Sequence, residues 1–512
     1  MSNQTPVSAP AAESPWTRNV EMPKTVRLTA NDDVDVCIVG AGIAGLTTAY
    51  LLMRAGQGVI VLDDGAIGGG MTSATSAHLS NVIDAGYAEI ERVHGTRGAS
   101  IVAESHTAAI DRIEAITGDE GIECDFARVD GYLFRGASDR DLDEELAAAR
   151  RAGLRDAALV SGAPLDGFDT GPCLRFRRQA QFHPLKYLSG LATAIINGGG
   201  RIYTSTHVDS VQGGESAEVR AGNRVVTSRS VVVATNAPVN DRVAIHTKQA
   251  PYMTYVVGLR VPAQSVPAAL YWDAEDPYHY VRVLSGGATG GDDLLIVGGE
   301  DHKSGQADDT AERHGRLEAW ARARFPAIRD CELIWGGQVM QPIDGVAFIG
   351  LNPLDATNVY VVTGDAGMGL THGTFAGMLL TDLILGRAND WAELYNPSRK
   401  PVRAAGEYLK EAANMAAQYG DWVTGGDVES VEQIARDGGA VVRKGLSKLA
   451  VYKDEDGHVH KYSAVCPHLG CIVQWNDAEK TWDCPCHGSR FDKLGTVING
   501  PANRELEKVQ GR

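Results

Sequence analysis

The sequence predicts an α/β domain that opens with a parallel βαβ unit and includes an α+β region, followed by a small all-β domain. Three observations predict this architecture: a glycine-rich turn near residue 40, strand-like runs that alternate with amphipathic helices as far as residue 390, and short strands with glycine-rich turns after residue 425. A chain of 512 residues has room for two or three domains, since one domain averages roughly 150 residues.

The βαβ unit is predicted at the front of the chain. The apolar run 34–39 precedes the glycine-rich turn, a stretch with helical periodicity extends from Leu46 to Ala55, and a second apolar run covers 59–62. A strand, a helix and a strand in this order form a parallel strand pair with a crossover helix.

The turn within this unit has the spacing G-x-G-x-x-G. Gly40 permits a tight turn, Gly42 lets the backbone approach a pyrophosphate, and Gly45 lets the helix pack on the strand. Asp63, at the end of the second strand, is placed to accept a hydrogen bond from a ribose hydroxyl. The pattern predicts a dinucleotide site but does not distinguish FAD from NAD.

The rest of the chain divides into segments of different composition. Strand-like runs at 231–234, 294–297 and 359–362 alternate with amphipathic helices such as 308–325, so elements from distant parts of the chain must come together. The predicted segments are a polar, loosely ordered leader (1–30), a large α/β domain (31–390), a connector (391–425) and a small β domain (426–512).

Four of the eight cysteines lie within the segment 466–486. Cys466 and His468 fall in one predicted loop, and Cys484 and His487 fall in another, so two loops offer two thiolates and two imidazoles. This set suits a tetrahedral zinc site, and it also suits an iron–sulfur cluster held by two cysteines and two histidines. The pattern predicts a metal centre and leaves both metals open.

Seven segments of the large domain carry short motifs that are informative as a set. They are 35–46 (DVCIVGAGIAGL), 61–64 (VLDD), 68–73 (GGGMTS), 183–186 (HPLK), 231–238 (VVVATNAP), 344–350 (DGVAFIG) and 363–369 (TGDAGMG). Together they resemble the D-amino-acid oxidase/glycine oxidase superfamily of FAD-dependent amine oxidoreductases. The resemblance covers roughly residues 34–390 and implies FAD as the dinucleotide.

The resemblance also implies which residues contact FAD. They are Gly40, Gly42, Ile43, Ala44, Gly45, Asp63, Asp64, Gly70, Thr72, Ser76, His78, Val208, Ala234, Thr235, Gly364, Gly367, Met368 and Gly369. In relatives the last of these glycines open a helix whose N-terminus meets the flavin pyrimidine ring and stabilises negative charge there. His78 lies where relatives place the flavin ring, and three roles stay open for it: contact with the flavin, covalent attachment of the flavin, or a hydrogen bond to the backbone.

The two loops that carry the metal-site residues read CPHLGC (466–471) and CPCHGS (484–489). They are similar to the loops of Rieske [2Fe-2S] proteins. The resemblance implies that Cys466 and Cys484 hold one iron and that His468 and His487 hold the other. It further implies a disulfide between Cys471 and Cys486, which is unusual for a reducing cytoplasm.

The whole layout resembles bacterial FAD-dependent oxidoreductases with a C-terminal Rieske domain. It implies an α/β FAD-binding domain of Rossmann-like βαβ type with an α+β substrate domain, plus the small all-β Rieske domain. The expected activity is oxidation of an amine or amino-acid-like substrate, with electrons relayed from FAD through the cluster to an external acceptor such as a quinone, a ferredoxin or oxygen. The alternative is a reductase in which the cluster feeds electrons to FAD. A Rieske oxygenase needs a further iron on two histidines and a carboxylate. This class is disfavoured, because no closely spaced histidine pair with a nearby acid is found on a predicted helix.

Substrate-side residues are predicted on strands near the flavin. The candidate catalytic residues are Tyr252, Tyr255, Tyr280 and Arg282. Tyr280 and Arg282 share one face of a strand, because side chains alternate with a period of two, and Arg282 is expected to clamp a carboxylate. Weaker polar candidates near the same sheet are Glu300, His302 and Lys248.

The charge balance excludes some classes of partner. With 48 Lys and Arg against 65 Asp and Glu, the formal net charge is −17, which disfavours a nucleic-acid binder because such proteins carry a basic footprint. The sequence has no apolar run of about 18 residues, so no transmembrane segment is expected. The first residues have neither a cationic flank nor an apolar core typical of a secretory signal. A cytoplasmic location is therefore predicted.

Overall fold

The computed structural model describes residues 11–138, 141–240, 245–286, 291–400, 402–422 and 424–509. The helices, in chain order, are α1 (Ile43–Arg54), α2 (Tyr87–Asp119), α3 (Leu142–Ala152), α4 (Pro184–Asn197), α5 (Thr310–Arg324), α6 (Gly369–Ile384), α7 (Ala392–Tyr395) and α8 (Ala405–Gln418). The strands of the large domain are β1 (Ala11–Ala12), β2 (Asp32–Val39), β3 (Val59–Leu62), β4 (His78–Leu79), β5 (Ala127–Phe134), β6 (Ala158–Val160), β7 (Cys173–Gln181), β8 (Arg201–Tyr203), β9 (Ser210–Gln212), β10 (Ala217–Ala221), β11 (Arg224–Val233), β12 (Gln249–Val261), β13 (Leu270–Asp273), β14 (His279–Leu284), β15 (Asp293–Lys303), β16 (Cys331–Pro342), β17 (Phe348–Leu351) and β18 (Val359–Thr363). The strands of the small domain are β19 (Gly438–Lys444), β20 (Ser447–Lys453), β21 (Val459–Ser463), β22 (Gln474–Asn476), β23 (Thr481–Asp483), β24 (Arg490–Asp492) and β25 (Val497–Asn499).

The predicted βαβ unit is formed by β2, α1 and β3, and it lies in a sheet of order β17-β18-β11-β2-β3-β8. Strands β18, β11, β2, β3 and β8 run parallel, and β17 is antiparallel to β18. The valine and isoleucine side chains of β3 are all buried, as expected for parallel strands covered on both faces. The predicted α/β fold class is thus confirmed.

The α+β region is built on a second, mostly antiparallel sheet of order β1-β16-β12-β15-β14-β13-β5-β7-β4. Its central strands β12, β15 and β14 pair antiparallel over most of their lengths. One face of these strands, with Tyr255, Val257 and Val297, packs against Leu317 of α5 in a separate apolar cluster. The sheet therefore presents its other face toward the parallel sheet.

The N-terminal segment differs from the predicted loosely ordered leader. Trp16 is fully buried, its Nε1 donates to Thr75 O at 2.6 Å, and its ring lies 5.3 Å from the guanidinium carbon of Arg282. Burying a large aromatic side chain stabilises a segment by about 1.5–3 kcal/mol, which orders this stretch despite its polar, proline-rich composition. The expectation of loose order is wrong around Trp16.

The small domain consists of two antiparallel sheets, β19-β20-β21 and β22-β23-β24-β25. It docks directly on the large domain of the same chain: Gln338 Nε2 donates to Gly488 O at 2.6 Å, and Gln306 Nε2 donates to Pro485 O at 3.1 Å. None of the helices in the described ranges combines the length and the apolar character needed to cross a lipid bilayer.

Candidate functional site

A cavity of about 970 Å³ lies at the carboxyl edge of the parallel sheet. Val39, Leu62 and Val362, near the C-terminal ends of β2, β3 and β18, all line it. Open α/β sheets bind their ligands at this edge, so the cavity is the expected place for a dinucleotide.

The glycine turn shapes one wall of the cavity by close backbone contact. Gly40 has φ 109°, and a Cβ there would collide with the carbonyl oxygen of Ala234. A Cβ at Gly45 would collide with the carbonyl oxygen of Gly40, so α1 begins directly against the turn. Gly42 is the N-cap of α1, which presents free N–H groups to an anion. This cradle fits the pyrophosphate of a dinucleotide.

We expect Gly45→Ala to reduce FAD occupancy. The added methyl group meets backbone atoms that no side-chain rotation can move, and overpacking of this kind costs about 1–3 kcal/mol. That cost corresponds to FAD binding roughly 5- to 100-fold weaker. The measurement is the flavin-to-protein ratio by absorbance after dialysis. Gly118→Ala is the matched control, since nothing lies within 4 Å of a Cβ there, and equal flavin content in the two variants would contradict the prediction.

The acidic pair after β3 has two different environments. Asp63 accepts hydrogen bonds from Ala41 N at 2.6 Å and from Gly65 N at 2.8 Å, so it braces the turn while lining the cavity; burial raises its pKa. Asp64 lies 3.4 Å from Nδ1 of His207, and this hydrogen bond lowers the pKa of Asp64 and raises that of His207.

The structure brings most of the predicted FAD residues together around the cavity. The lining includes Gly40, Gly42, Ile43, Ala44, Asp63, Asp64, Gly70, Thr72, Ser76, His78, Val208, Ala234, Thr235, Gly367, Met368 and Gly369. Two predicted residues lie just behind the wall: Gly45 packs on the turn, and Gly364, with φ 75°, packs against Pro342.

His78 lines the cavity with both ring nitrogens already in hydrogen-bond range of protein atoms. Nδ1 is 3.0 Å from Ser76 Oγ, and Nε2 is 3.3 Å from Val281 O. Burial, assisted by the nearby Arg282 charge, lowers the pKa of His78 to about 3. The imidazole is therefore neutral at pH 7, and covalent attachment of a flavin would break one of these two hydrogen bonds.

Of the four predicted catalytic residues, only Tyr280 lines the cavity. Its hydroxyl is 3.0 Å from Thr254 Oγ1. Tyr255 is fully buried, with its hydroxyl 3.0 Å from Nε2 of His302. Tyr252 is half-buried outside the cavity lining, and burial raises its pKa to about 12.

Arg282 does not reach the cavity. Its guanidinium donates to Ala77 O at 2.6 Å and Phe182 O at 3.2 Å, beneath the ring of Trp16. The strand face was predicted correctly from the alternation, but the buried carbonyl groups hold the charge away from the cavity. The structure thus does not bring Arg282 to a position where it could clamp a carboxylate.

The three weaker candidates are also held outside the cavity lining. Glu300 forms an ion pair with Arg316 at 2.8 Å, His302 contacts Tyr255, and Lys248 Nζ donates to Pro397 O at 2.9 Å. Their partners give each of them a structural role.

Two of the cavity residues that were not predicted form a hydrogen-bonded pair. Tyr278 donates its hydroxyl to Asp84 Oδ2 at 3.2 Å, and both line the cavity. A Cβ at Gly367 would collide with Asp84 Oδ2, which places this carboxylate against the loop that precedes α6. Tyr278 could have been found, because it shares the strand alternation of Tyr280. No local pattern marks Asp84, which lies in a loop after β4.

The second site lies in the small domain. Cys466 and Cys484 are buried and not disulfide-bonded, and the rings of His468 and His487 have centroids 4.9 Å apart. The four side chains come from two loops that face each other. The Sγ atoms of Cys471 and Cys486 lie within bonding distance of one another, with Cα atoms 6.4 Å apart.

Hydrogen bonds around Cys466 fit an anionic cluster, whereas the hydrogen bond to Cys466 and burial raise the pKa of Cys484. The pKa of Cys466 is lowered, first by the hydrogen bond from Cys484 and further by the N–H groups of His468 and Leu469 and by the hydroxyl of Ser489. Burial lowers the pKa of His487 to about 3, so its imidazole is neutral and available as a ligand. Thiolates, neutral imidazoles and N–H donors to sulfur suit a [2Fe-2S] cluster held by two cysteines and two histidines.

The two sites are connected within one chain. Gln338 lines the cavity and donates to the carbonyl oxygen of Gly488, the residue after His487. The buried ring of His246, on the large domain, lies with its centroid 5.1 Å from that of His468 and 5.9 Å from that of His487. The cluster loops therefore rest on the wall of the cavity.

Comparisons with known proteins agree with both sites. A family model described as FAD dependent oxidoreductase matches residues 35–383, and one described as Rieske [2Fe-2S] domain matches residues 422–510. The chain is 30% identical over 507 residues to the putative Rieske 2Fe-2S iron-sulfur protein YhfW of Bacillus subtilis (strain 168), covering 98% of each chain.

Two further relatives cover the large domain. The chain is 27% identical over 411 residues to gamma-glutamylputrescine oxidoreductase of Escherichia coli (strain K12), which covers 76% of this chain and 93% of that one. The crystal structure of glycine oxidase from Geobacillus kaustophilus superposes with a TM-score of 0.61 at 17% identity, covering 72% of this chain and 100% of that chain. The similarity to the glycine oxidase structure shows a shared fold. The chain therefore belongs to the family of FAD-dependent oxidoreductases, with a C-terminal Rieske domain, and its two cofactors are FAD and a [2Fe-2S] cluster.

Proposed function

We propose that this chain oxidises an amine and delivers the electrons, one at a time, to an external acceptor. When bound, FAD would supply the acceptor for a hydride equivalent from the C–H bond beside the nitrogen, which leaves an imine and a proton, and the cluster would supply a one-electron carrier to an acceptor such as a quinone or a ferredoxin. Water then hydrolyses the imine. Molecular oxygen, the third electron acceptor predicted from the sequence, remains to be tested beside the quinone and the ferredoxin.

The observation that carries the proposal is the contact between the cavity and the cluster loop in the same chain. Gln338 spans the two, with its side chain 2% exposed. Such a buried contact holds the cluster loop at the cavity wall without a second subunit. This arrangement supports a relay inside one molecule, and it serves equally the alternative in which electrons enter at the cluster.

The charges in the cavity favour an amine substrate. Asp84 is exposed to the cavity and accepts from the Tyr278 hydroxyl, and Thr254 and Tyr280 offer neutral hydroxyls nearby. Among the described lining residues, the one Lys or Arg is Arg504, at the far end with Asn503. An ammonium group is attracted by Asp84, whereas the carboxylate of an amino acid finds no cationic partner beside it. We propose that Asp84 Oδ2 binds the ammonium group.

An anaerobic titration tests the direction of electron flow. The holoprotein is mixed with primary, secondary and N-methylated amines and with amino acids, and flavin absorbance and low-temperature EPR of the cluster are recorded on the same samples. We expect an amine to bleach the flavin and to bring up the reduced Rieske signal. Reduction of the flavin by a reduced ferredoxin, with every amine and amino acid inert, would overturn the proposal in favour of the reductase.

For the cluster, we propose Cys466, His468, Cys484 and His487 as ligands and a bracing disulfide between Cys471 and Cys486. The bonding distance between the sulfur atoms of Cys471 and Cys486 supports a disulfide for this pair and leaves the other two cysteines as ligands. Alkylation of the unfolded, unreduced protein followed by mass spectrometry tests it: Cys471 and Cys486 should stay unmodified, and alkylation of both would refute the pairing. The domain boundaries and the cytoplasmic location given above remain predictions.

A further inference from the structure

The C-terminal domain contributes directly to the wall of the FAD cavity. The segment 496–505 lies along the cavity, where all but one of its residues belong to the lining. Near the middle of the segment, a Cβ at Gly500 would stand 3.1 Å from Ala237 O. Three residues later, Asn503 Nδ2 donates to Asp209 O at 3.1 Å. The segment therefore bridges two loops of the large domain across the cavity.

The segment covers the end of the cavity that suits adenosine. His207 Nε2 donates to Asn503 O at 3.0 Å, and the other nitrogen of His207 faces Asp64, the neighbour of Asp63. Since an acid at the end of the second strand accepts from the adenosine ribose, residues beside it mark the adenosine end. The glycine turn adjoins this end, because Ala41 N donates to Asp63 Oδ2 at 2.6 Å, and it marks the pyrophosphate, whereas Gly367 marks the flavin ring farther along the cavity.

Asn499 supplies the observation that points to a ligand. Its side chain is 8% exposed, it lines the cavity, and its Oδ1 has no hydrogen-bond partner among the described residues. A buried amide oxygen without a partner is costly. The adenosine of FAD carries an amino group and ribose hydroxyls, which are donors of the kind that this oxygen lacks.

Arg504 gives the segment a second link to FAD. It supplies the one Lys or Arg among the described lining residues, against the carboxylates of Asp63, Asp64 and Glu505 in the same wall. FAD brings a doubly charged pyrophosphate into this acidic surrounding. The large domain contributes no Lys or Arg to the described lining. Arg504 of the C-terminal domain therefore balances part of the negative charge of the pyrophosphate and the carboxylates.

We propose that the Rieske domain completes the FAD-binding site, with Asn499 accepting a hydrogen bond from the adenosine and Arg504 attracting the pyrophosphate. The same segment is tied to the cluster loop, because Ala502 N donates to Ser489 Oγ at 3.0 Å. FAD thus contacts both domains.

The test is the rate at which the holoprotein releases FAD after dilution, followed by the recovery of free-flavin fluorescence. Asn499→Ala should release FAD about 3- to 10-fold faster than the wild type, the effect of losing one hydrogen bond. Arg504→Gln should also accelerate release at low salt, and the difference from wild type should disappear at high salt. Cluster content, measured by absorbance, should stay unchanged in both variants.

Two matched controls make the test decisive. Leu494→Ala changes an exposed side chain of the same hairpin outside the cavity lining, and Lys444→Gln removes an exposed charge elsewhere in the domain. Both should release FAD at the wild-type rate. Release at the control rate from Arg504→Gln and from Asn499→Ala, with the cluster intact, would overturn the proposal. If Asn499→Ala fails to fold, the exposed Arg504 variant decides the outcome alone.

Discussion

Cys484→Ser is expected to leave the flavin reducible by substrate while it abolishes electron delivery to a one-electron acceptor. Removing one thiolate takes away a direct ligand of the cluster, whereas the residues around the cavity stay in place. Loss of groups that merely support metal ligands already costs about 10- to 100-fold in metal affinity or activity, so we expect turnover with a one-electron acceptor to fall by about 100-fold or more. The rate of flavin bleaching by the substrate should change little.

The measurement is a pair of experiments on FAD-saturated protein: stopped-flow reduction of the flavin, and steady-state turnover with a quinone or a ferredoxin. Cys331→Ser is the matched control, since Cys331 Sγ donates to Leu333 O at 3.5 Å and a serine hydroxyl can do the same. Undiminished turnover of Cys484→Ser would show that electrons bypass the cluster. Equal loss of both rates would instead indicate a damaged fold.

Both cofactors could be predicted because their signals are short and local. Gly40, Gly42 and Gly45 stand within six residues, and backbone contacts in the structure require glycine at Gly40 and at Gly45. The four proposed cluster ligands lie in two loops whose spacing is equally compact. In each case the chemistry is encoded by neighbours in sequence, so no knowledge of tertiary packing is needed to recognise it.

The substrate end of the cavity could not be predicted because it is assembled from separate segments. Asp84 and Tyr278 are 194 residues apart, and only the pairing of distant strands brings them together. Arg282 shows the converse limitation: strand alternation predicted its face, but the burial of Trp16 above it and the carbonyl of Ala77 determine where its charge resides. Side-chain periodicity predicts a face of a strand and not which group on that face reaches a ligand.

Asp84→Asn is expected to weaken binding of cationic substrates across the whole pH range. The amide keeps the shape and the hydrogen bond from Tyr278 but loses the negative charge. A hydrogen bond between charged groups contributes about 1.5–3 kcal/mol, so we expect kcat/KM for an amine to fall roughly 10- to 100-fold. The effect should appear mainly in KM, because the residue binds the ammonium group. A change confined to kcat would contradict this role.

A second carboxyl group, that of Asp301, lies behind the cavity lining and close enough to Asp84 to give this end of the cavity a pH dependence. Burial, helped by the negative charge of Asp84, raises the pKa of Asp301 to about 7, although the neighbouring hydroxyl groups of Thr254 and Tyr278 lower it. Asp301 is therefore neutral below about pH 7 and anionic above it. Because an anion attracts a cation, binding of a fixed cation should strengthen as the pH rises through this value.

A quaternary ammonium inhibitor separates the two carboxylates, since its own charge does not change with pH. Its inhibition constant for the wild type should fall as the pH rises through about 7. Asp301→Asn should remove this pH dependence and leave binding as weak as in the wild type at low pH. Asp84→Asn should weaken binding at every pH and keep the dependence. If the two variants give the same profile, the two carboxylates act as one unit, and the separate roles argued here for Asp84 and Asp301 are wrong.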